Sequence, residues 1–210
     1  MKIINIGAHM GGFTDRCLEL YPDVEKIYCF EPFAPNYRFL VEKYKDDERI
    51  EIIESAVSNT DGISIFYQKK HTCQNVAGSA GNTLKQAKIN VTGHFIEVSV
   101  VKISSFIEKR GLEKIDILKI DAEGSEYDIF EDIFKNAIYE ITDKFYYEDH
   151  CRKIKGLSKS KAQFRMRVQE LGIIDKIYIE VCHNEYRLLR AEEERQRQDD
   201  ENRKRKKWIL

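Results

Sequence analysis

Near the middle of the chain, an apolar stretch is followed directly by carboxylates. Residues 115–120, Ile-Asp-Ile-Leu-Lys-Ile, are rich in β-branched side chains, as a buried parallel strand is, and Asp121 and Glu123 come immediately after them. In open α/β sheets, ligands bind outside the carboxyl ends of the strands. We therefore predict that Asp121 and Glu123 face a crevice. The alternative is that Asp121 caps the helix that follows.

A second polar pair follows the next expected strand. The run Lys-Phe-Tyr-Tyr at 144–147 predicts this strand, and Glu148 and His150 stand at its end. If the two strands are parallel neighbours, Asp121, Glu148 and His150 converge. A neutral imidazole near pH 7 is well matched to removing a hydroxyl proton, and a nearby carboxylate stabilises the cation that forms. We expect His150 to be the catalytic base, with Asp121 positioning a reactant and Glu148 in support.

The same three side chains allow two other interpretations. Asp121, Glu148 and His150 could ligate a magnesium or manganese ion, because oxygen-rich sites suit these ions and a bound cation lowers the pKa of a hydroxyl. In the other interpretation, His150 simply ends a strand. Both alternatives stay open from the residues alone.

The start of the chain has the pattern strand, glycine-rich turn, helix. Residues 2–6 predict the strand, 7–12 the turn and 13–21 the helix. Glycines let a backbone approach a ligand closely, and the first amides of a helix can hold a carboxylate or phosphate. Glu31 follows the second predicted strand, where an acid usually binds ribose hydroxyls. A tight turn without a ligand is the alternative.

The third predicted strand, 50–57, ends in small residues that could lie against an adenine ring, and a purely structural turn is the alternative. A strong turn signal at 59–62 precedes a strand at 63–67, so we expect a hairpin-like excursion there. The polar loop 68–93, where we place substrate contacts, follows, and the chain returns as a strand at 95–103. The remaining predicted elements are helices 35–45, 104–110, 125–135 and 159–171 and a closing hairpin of strands 176–181 and 185–189.

Composition limits the classes of function. The chain has 210 residues and a formal net charge of -1, which argues against nucleic acid as an obligatory partner. The five cysteines are scattered, so we expect reduced thiols. No apolar run could span a membrane and the first residues do not form a secretory signal, so we expect a cytoplasmic protein. We predict one domain, 1–190, and a charged helix or disordered tail, 191–210.

Several blocks together resemble the FkbM-type methyltransferases, which use S-adenosylmethionine. The blocks are Asn-Ile-Gly-Ala-His-Met-Gly at 5–11, Phe-Glu-Pro at 30–32, Ala-Val-Ser-Asn at 56–59 and Ile-Asp-Ile-Leu-Lys-Ile-Asp-Ala-Glu-Gly-Ser-Glu at 115–126. The resemblance implies an α/β, Rossmann-like doubly wound methyltransferase fold. Its sheet would be mostly parallel and seven-stranded with an antiparallel last strand. The cofactor would lie over the first two strands and the acceptor near the fourth.

The expected site residues follow from the strand ends and the resemblance. The cofactor-binding residues are Asn5, Gly7, Ala8, His9, Gly11, Gly12, Glu31, Pro32, Ser55, Ala56, Val57 and Asp121. The expected substrate-binding residues are Glu123, Ser79 and Asn82. The family pattern usually has an acid where Asn5 stands and an asparagine where His9 stands. Asn5 can still accept a hydrogen bond through its amide oxygen.

The expected function is O-methylation of a sugar or glycan hydroxyl, or of a similar small polyol. Because the first strand begins almost at Met1, we also expect a domain of a larger multidomain protein. One alternative is a nicotinamide-dependent oxidoreductase. Another is an RNA ribose methyltransferase using Lys2, Asp121, Lys144 and Glu180, and a third is a non-catalytic fold that binds a partner through its tail.

Overall fold

The computed structural model describes residues 1–69 and 78–180. Met1–Ile179 form one compact unit. Its first half contains β1 (Lys2–Ile6), α1 (Gly12–Leu20), β2 (Lys26–Phe30), α2 (Ala34–Lys43), β3 (Ile50–Ile53), β4 (Ala56–Ser58), β5 (Gly62–Lys69), β6 (Val91–Lys102) and α3 (Ile103–Arg110). The rest of the described chain contains β7 (Ile115–Ile120), α4 (Glu126–Lys135), α5 (Ile138–Ile141), β8 (Thr142–Glu148), α6 (Leu157–Glu170) and β9 (Ile177–Glu180).

The main sheet has the strand order β3-β2-β1-β7-β8-β9. The pairs β3–β2, β2–β1, β1–β7 and β7–β8 are parallel, and Ile6 lies opposite both Phe30 and Ile120. The chain winds outward from β1 to β3 and later returns to the other side of β1 with β7. Such a reversal opens a crevice at the carboxyl ends of the two central strands, where doubly wound proteins bind ligands.

The predicted fold class is confirmed by this mostly parallel sheet and the helices around it. The sheet has six strands among the residues that the structure describes. The predicted last strand, 185–189, lies outside the described residues, as does the predicted tail, 191–210. Within 1–69 and 78–180, no helix is long and apolar enough to cross a membrane.

One strand prediction was wrong. Residues 50–57 do not form a single strand, because the chain turns after Ile53, where the Ser55 amide donates to the Ile53 carbonyl at 2.9 Å. β4 then leaves the main sheet and joins a second sheet of order β4-β6-β5. In that sheet β5 and β6 are antiparallel, and β4 and β5, which flank the predicted turn at 59–62, both pair with β6 and not with each other.

A large apolar core fixes the carboxyl ends of β7 and β8. Phe130 of α4 lies 4.5 Å from Phe164 of α6 and 5.4 Å from Tyr147 of β8, measured between ring centroids. This cluster also contains Ile6 and Ile120. Since side chains alternate along a strand, Asn5 and Lys119 point to the opposite face, where α1 packs.

Three of the five cysteines lie among the described residues, while Cys73 and Cys182 lie outside them. Cys17 and Cys29 are buried free thiols, and Cys151 is a partly buried one.

Candidate active site

The turn between β1 and α1 is held mainly by backbone hydrogen bonds. The amides of Gly7 and Ala8 both donate to the Phe30 carbonyl, at 3.0 and 2.9 Å. Gly7 has a φ of 80°, and a Cβ there would lie 2.0 Å from the Asp121 carbonyl oxygen. Glycine is therefore required at position 7 because β7 passes so closely. The same contact places the turn directly beside the acidic residues that follow β7.

The glycines at positions 11 and 12 serve different purposes. Gly11 has a φ of 86°, and a Cβ there would lie 2.3 Å from the Tyr44 hydroxyl oxygen, which is 2.9 Å from the Gly11 carbonyl. At Gly12, an added Cβ would have no atom within 4 Å, so this position borders open space. Gly12 begins α1, whose N-terminus has no side-chain cap. The first amides of such a helix can hold a cofactor carboxylate.

Glu31 is buried at the end of β2 and holds the turn from the side. Its Oε2 accepts from the His9 amide at 2.8 Å and its Oε1 from the Phe33 amide at 2.9 Å. His9 is one of four non-glycine residues with a positive φ among the described residues, at 51°. Burial raises the pKa of Glu31 to about 7, although hydrogen bonds from Phe33, His9 and Asn36 oppose the shift.

The remaining expected cofactor residues lie in less open surroundings. Asn5 is fully buried and donates to Thr14 Oγ1 at 3.2 Å, while its Oδ1 has no hydrogen-bond partner among the described residues. Pro32 is partly buried after β2. Ser55, Ala56 and Val57 are all buried, and the latter two belong to apolar clusters. These small side chains pack in the protein, and their predicted contact with an adenine ring stays a prediction.

The acidic turn after β7 is anchored from within. Asp121 does not cap α4, whose N-cap residue is Ser125. Asp121 Oδ2 instead lies 3.3 Å from Nζ of the buried Lys119, whose ammonium is 5.5 Å from the centre of the Phe13 ring. Glu123 adopts a φ of 50°, a conformation that costs free energy and is typical of functional turns.

His150 lies among three carboxylates. Its side chain is 1% exposed, and its Nδ1 is 2.9 Å from Oε1 of the fully buried Glu126. Its Nε2 is 3.2 Å from Glu123 Oε2 and 3.1 Å from Glu148 Oε1. His150 thus lies beside the predicted Glu148, and Asp121, Glu123 and His150 can bring one ligand atom each within 4.8 Å of the others.

The protonation state of His150 differs from the expected neutral one. Burial alone would lower the pKa of the imidazole, but its contacts with Glu126 and Glu148 and the negative charges of Glu126 and Glu123 raise it to about 10. Burial in turn raises the pKa of Glu126, while His150 opposes that shift. In this arrangement the imidazole is a cation near neutral pH and has no lone pair with which to accept a proton.

The loop before β6 covers part of the cluster. Thr83 exchanges two backbone hydrogen bonds with Tyr67, and its hydroxyl donates to the Glu123 carbonyl at 2.7 Å. Lys88, whose side chain is 4% exposed, donates to Glu123 Oε2 and, at 2.7 Å, to the Gly81 carbonyl. Glu123 is therefore in contact with the predicted substrate loop.

Ser79 and Asn82, the two residues expected to contact substrate in this loop, are both buried. The Ser79 carbonyl accepts from the Asn36 side chain at 3.1 Å, which draws this part of the loop toward the Glu31 side of the crevice. Asn82 Oδ1 accepts from the Lys69 amide at 3.1 Å. Both residues shape the loop. Their predicted contact with substrate stays a prediction.

Three residues of the site were missed in the sequence. Glu126 orients His150, Lys88 neutralises Glu123, and Asn36 holds the loop through Gly78 and Ser79. A signal existed for Glu126 alone, because an acid in the first turn of α4 belongs to the same short acidic block as Asp121 and Glu123. A lysine in a polar loop and an asparagine in a helix carry no such signal.

The fold and the site define a class of protein. A doubly wound sheet with an uncapped helix start beside β1 and an acid at the end of β2 is the arrangement of proteins that bind a nucleoside-containing cofactor. The family model described as "Methyltransferase FkbM domain" matches residues 5–198. The chain therefore belongs to the FkbM methyltransferase family, which confirms the resemblance and favours methyl transfer over the oxidoreductase alternative.

A curated relative is similar to part of the chain. The 2-O-methyltransferase NoeI of Sinorhizobium fredii is 24% identical to it over 134 residues. The alignment covers 60% of this chain and 55% of the relative, so the chain spans about half the length of that protein. No solved structure matches the chain.

Proposed function

We propose that the protein transfers a methyl group from S-adenosylmethionine to a hydroxyl of a sugar, a glycan or a similar small polyol. Membership of the FkbM family supports methyl transfer, and the name of the relative supports an oxygen acceptor. The observation that carries the proposal is the contact between Gly7 and Asp121, because it joins a cofactor-type turn to a buried acidic cluster at one crevice.

The cofactor is assigned to the β1 and β2 side of this crevice. Its methionine carboxylate would lie at the start of α1 near Gly12, where the helix has no side-chain cap. Its ribose hydroxyls would donate to Glu31, whose two oxygens each accept one backbone amide and keep further acceptor capacity. Asp121, between the two halves, would face the cofactor ammonium or the acceptor hydroxyl.

The acceptor is assigned to the β7 and β8 side. In the transfer, the acceptor oxygen forms a bond to the methyl carbon, the carbon–sulfur bond breaks with its electron pair going to sulfur, and the hydroxyl proton passes to a base. We assign this base role to Glu148, not to His150, because the imidazole cation already carries both protons. The positive charge of His150 then attracts Glu148, whose Oε1 lies 3.1 Å from Nε2, and Glu123 lines the acceptor side.

The RNA alternative loses its main support. Lys2 begins β1, at the opposite end of that parallel strand from Gly7 and Asp121, and its Nζ lies 3.4 Å from Glu25. Lys2 and Asp121 therefore cannot belong to one catalytic tetrad. We do not expect a nucleic-acid acceptor. The cytoplasmic setting and the place of this chain within a larger protein stay predictions from the sequence.

An acceptor screen tests the proposed function. Purified protein is incubated with S-adenosylmethionine labelled in its methyl group and a panel of mono- and oligosaccharides, polyols and short RNAs. We expect label in a sugar or polyol product and none in RNA. Calorimetry that detected no binding of S-adenosylmethionine would overturn the proposal, and labelled RNA would replace the acceptor class.

A further inference from the structure

The side chains of Asp121, Glu123 and His150 form a cluster, and methyl transfer does not by itself require all three. They come from the end of β7, the turn that follows it and the end of β8, and their nearest ligand atoms lie within 4.8 Å of one another. One imidazole and two carboxylates supply one nitrogen ligand and two carboxylate ligands. Acidic clusters are common without an ion, so further evidence is needed.

Two buried atoms of the cluster supply that evidence. Asp121 Oδ1 and His150 Nε2 are both inaccessible to solvent and have no hydrogen-bond partner among the described residues. His150 is 1% exposed, and its Nε2 lies 3.2 Å from Glu123 Oε2 and 3.1 Å from Glu148 Oε1. Neither pair has the geometry of a hydrogen bond. Burying a polar atom without a partner costs free energy, and a bound ligand at this position would remove that cost.

The other side of the imidazole is fixed as it is in metal sites. His150 Nδ1 pairs with Glu126 Oε1, and that carboxylate also accepts from the amides of Ala122 and Gly124, at 3.2 and 3.0 Å. A buried carboxylate that holds one imidazole nitrogen orients the second nitrogen toward a metal. Glu126 and the turn thus act as an outer support for the three ligand residues.

We propose that Asp121, Glu123 and His150 bind one hard divalent cation, Mn²⁺ or Mg²⁺, with Glu148 beside it, and that the ion displaces the proton from Nε2 of His150 when it binds. Carboxylate-rich sites suit these ions, and manganese also accepts an imidazole. The site deepens the proposed function and rests on it in one respect: the cation would bind the acceptor hydroxyl and lower its pKa, while Glu148 takes the proton. The methyl group moves from sulfur to oxygen as described above.

Lys88 is the internal competitor of such a cation. Its ammonium contacts Glu123 Oε2 and neutralises part of the cluster when no ion is bound. A cation on Glu123 would have to displace Lys88 or share the carboxylate with it. The substitution Lys88→Gln removes the positive charge and therefore separates two cases. In a metal site it removes a competitor of the cation, whereas in a cluster without a metal it removes the charge that balances Glu123.

The test is a titration of the full chain with Mn²⁺, followed by electron paramagnetic resonance without S-adenosylmethionine or acceptor. We expect one bound ion per chain in the wild type. Asp121→Asn and His150→Gln should each weaken it by about tenfold or more, and Lys88→Gln should bind at least as tightly as wild type. Matched controls are Asp116→Asn, at the opposite end of β7, and His94→Gln, an exposed histidine of β6; both should bind normally.

The outcomes separate the two proposals. No bound Mn²⁺ in the wild type or in Lys88→Gln, or binding unchanged by Asp121→Asn and His150→Gln, would overturn the metal site. Circular dichroism identifies a variant that fails to fold, in which case Glu123→Gln replaces it in the comparison. Calorimetry with S-adenosylmethionine in the presence of a chelator reports on the proposed function separately, since cofactor binding does not require the cation.

Discussion

The two halves of the crevice are built by different means. On the β1 and β2 side, backbone groups make most of the contacts, and the buried carboxylate of Glu31 is bonded to two amides. On the β7 and β8 side, charged side chains make most of them, with Glu126, Glu123 and Glu148 around His150. Backbone contacts suit a constant ligand such as a cofactor, whereas charged side chains suit proton transfer.

The comparison predicts that substitutions in the two halves have separable effects. Changes near β7 and β8 should lower turnover and leave cofactor binding intact, while changes near β1 and β2 should do the reverse.

The largest effect is expected for His150→Ala. This change removes the cation that orients Glu148, so turnover should fall by about a hundredfold or more. Binding of S-adenosylmethionine, measured by calorimetry, should stay within about twofold of wild type. His94→Ala, at an exposed histidine of β6, is the control and should be fully active. Normal turnover in His150→Ala would remove this residue from the catalytic group.

The second-largest effect is expected for Glu31→Ala, on the affinity for S-adenosylmethionine. Losing a charge-assisted hydrogen bond to the ribose costs about 1.5–3 kcal/mol, which corresponds to roughly ten- to a hundredfold in affinity for S-adenosylmethionine. Turnover at saturating cofactor should change far less. Because Glu31 also holds the His9 amide, thermal melting is measured in parallel, and Glu19→Ala at an exposed site of α1 is the control. Unchanged affinity would place the ribose elsewhere.

How much of this site the sequence could predict differs between the two halves. The strand ends were predictable, because apolar runs followed by polar residues mark the carboxyl edge of a parallel sheet, and the order of strands brings Asp121 and His150 together. Lys88 was not, since it reaches Glu123 only after the loop docks through the backbone contacts of Thr83 with Tyr67 and of Ile89 with Lys153. The pKa of His150 is likewise raised by Glu126, Glu148 and Glu123, which come from separate segments that only the fold brings together.

The end of the third predicted strand shows a second limit. Residues 50–57 have one apolar pattern, and nothing local to it shows that β3 and β4 belong to different sheets. The division depends on β6, more than thirty residues later, which pairs with β4. Which sheet a strand joins depends on its pairing with strands that are distant in sequence. The residue pattern of the strand itself does not carry that information.

A smaller effect, of about tenfold, is expected from pH. The pKa of Glu31 in the folded protein is about 7, above its usual value of 4.5. Only the carboxylate accepts from both ribose hydroxyls, so affinity for S-adenosylmethionine should rise about tenfold from pH 6 to pH 8 and level off above that. Glu31→Gln, which does not titrate, should show no such rise. A flat profile in the wild type would contradict the assignment.

The same shift affects stability in the absence of the cofactor. Because the folded pKa lies above the unfolded one, the contribution of Glu31 to stability is fully present below about pH 4.5 and is lost as the pH rises through about 7. Melting curves of wild type and Glu31→Gln should therefore diverge between these values, with the wild type losing stability relative to the variant. Parallel curves would show that Glu31 does not titrate in this range.

The smallest effect separates packing from ligand binding within the glycine turn itself. Gly12→Ala adds a methyl group where no protein atom lies within 4 Å, and alanine is favoured over glycine in a helix, so the melting temperature should not fall. If the methionine end of the cofactor lies at the start of α1, the methyl group should weaken S-adenosylmethionine binding by roughly fivefold, or about 1 kcal/mol.

Gly7→Ala makes the same change at the other end of the turn, where there is no space for a methyl group. It directs a Cβ to 2.0 Å from the Asp121 carbonyl at a φ of 80°, so it should unfold or strongly destabilise the protein. Normal affinity in a folded Gly12→Ala would move the cofactor away from the helix start, while a stable Gly7→Ala would show that β1 and β7 can separate at this point.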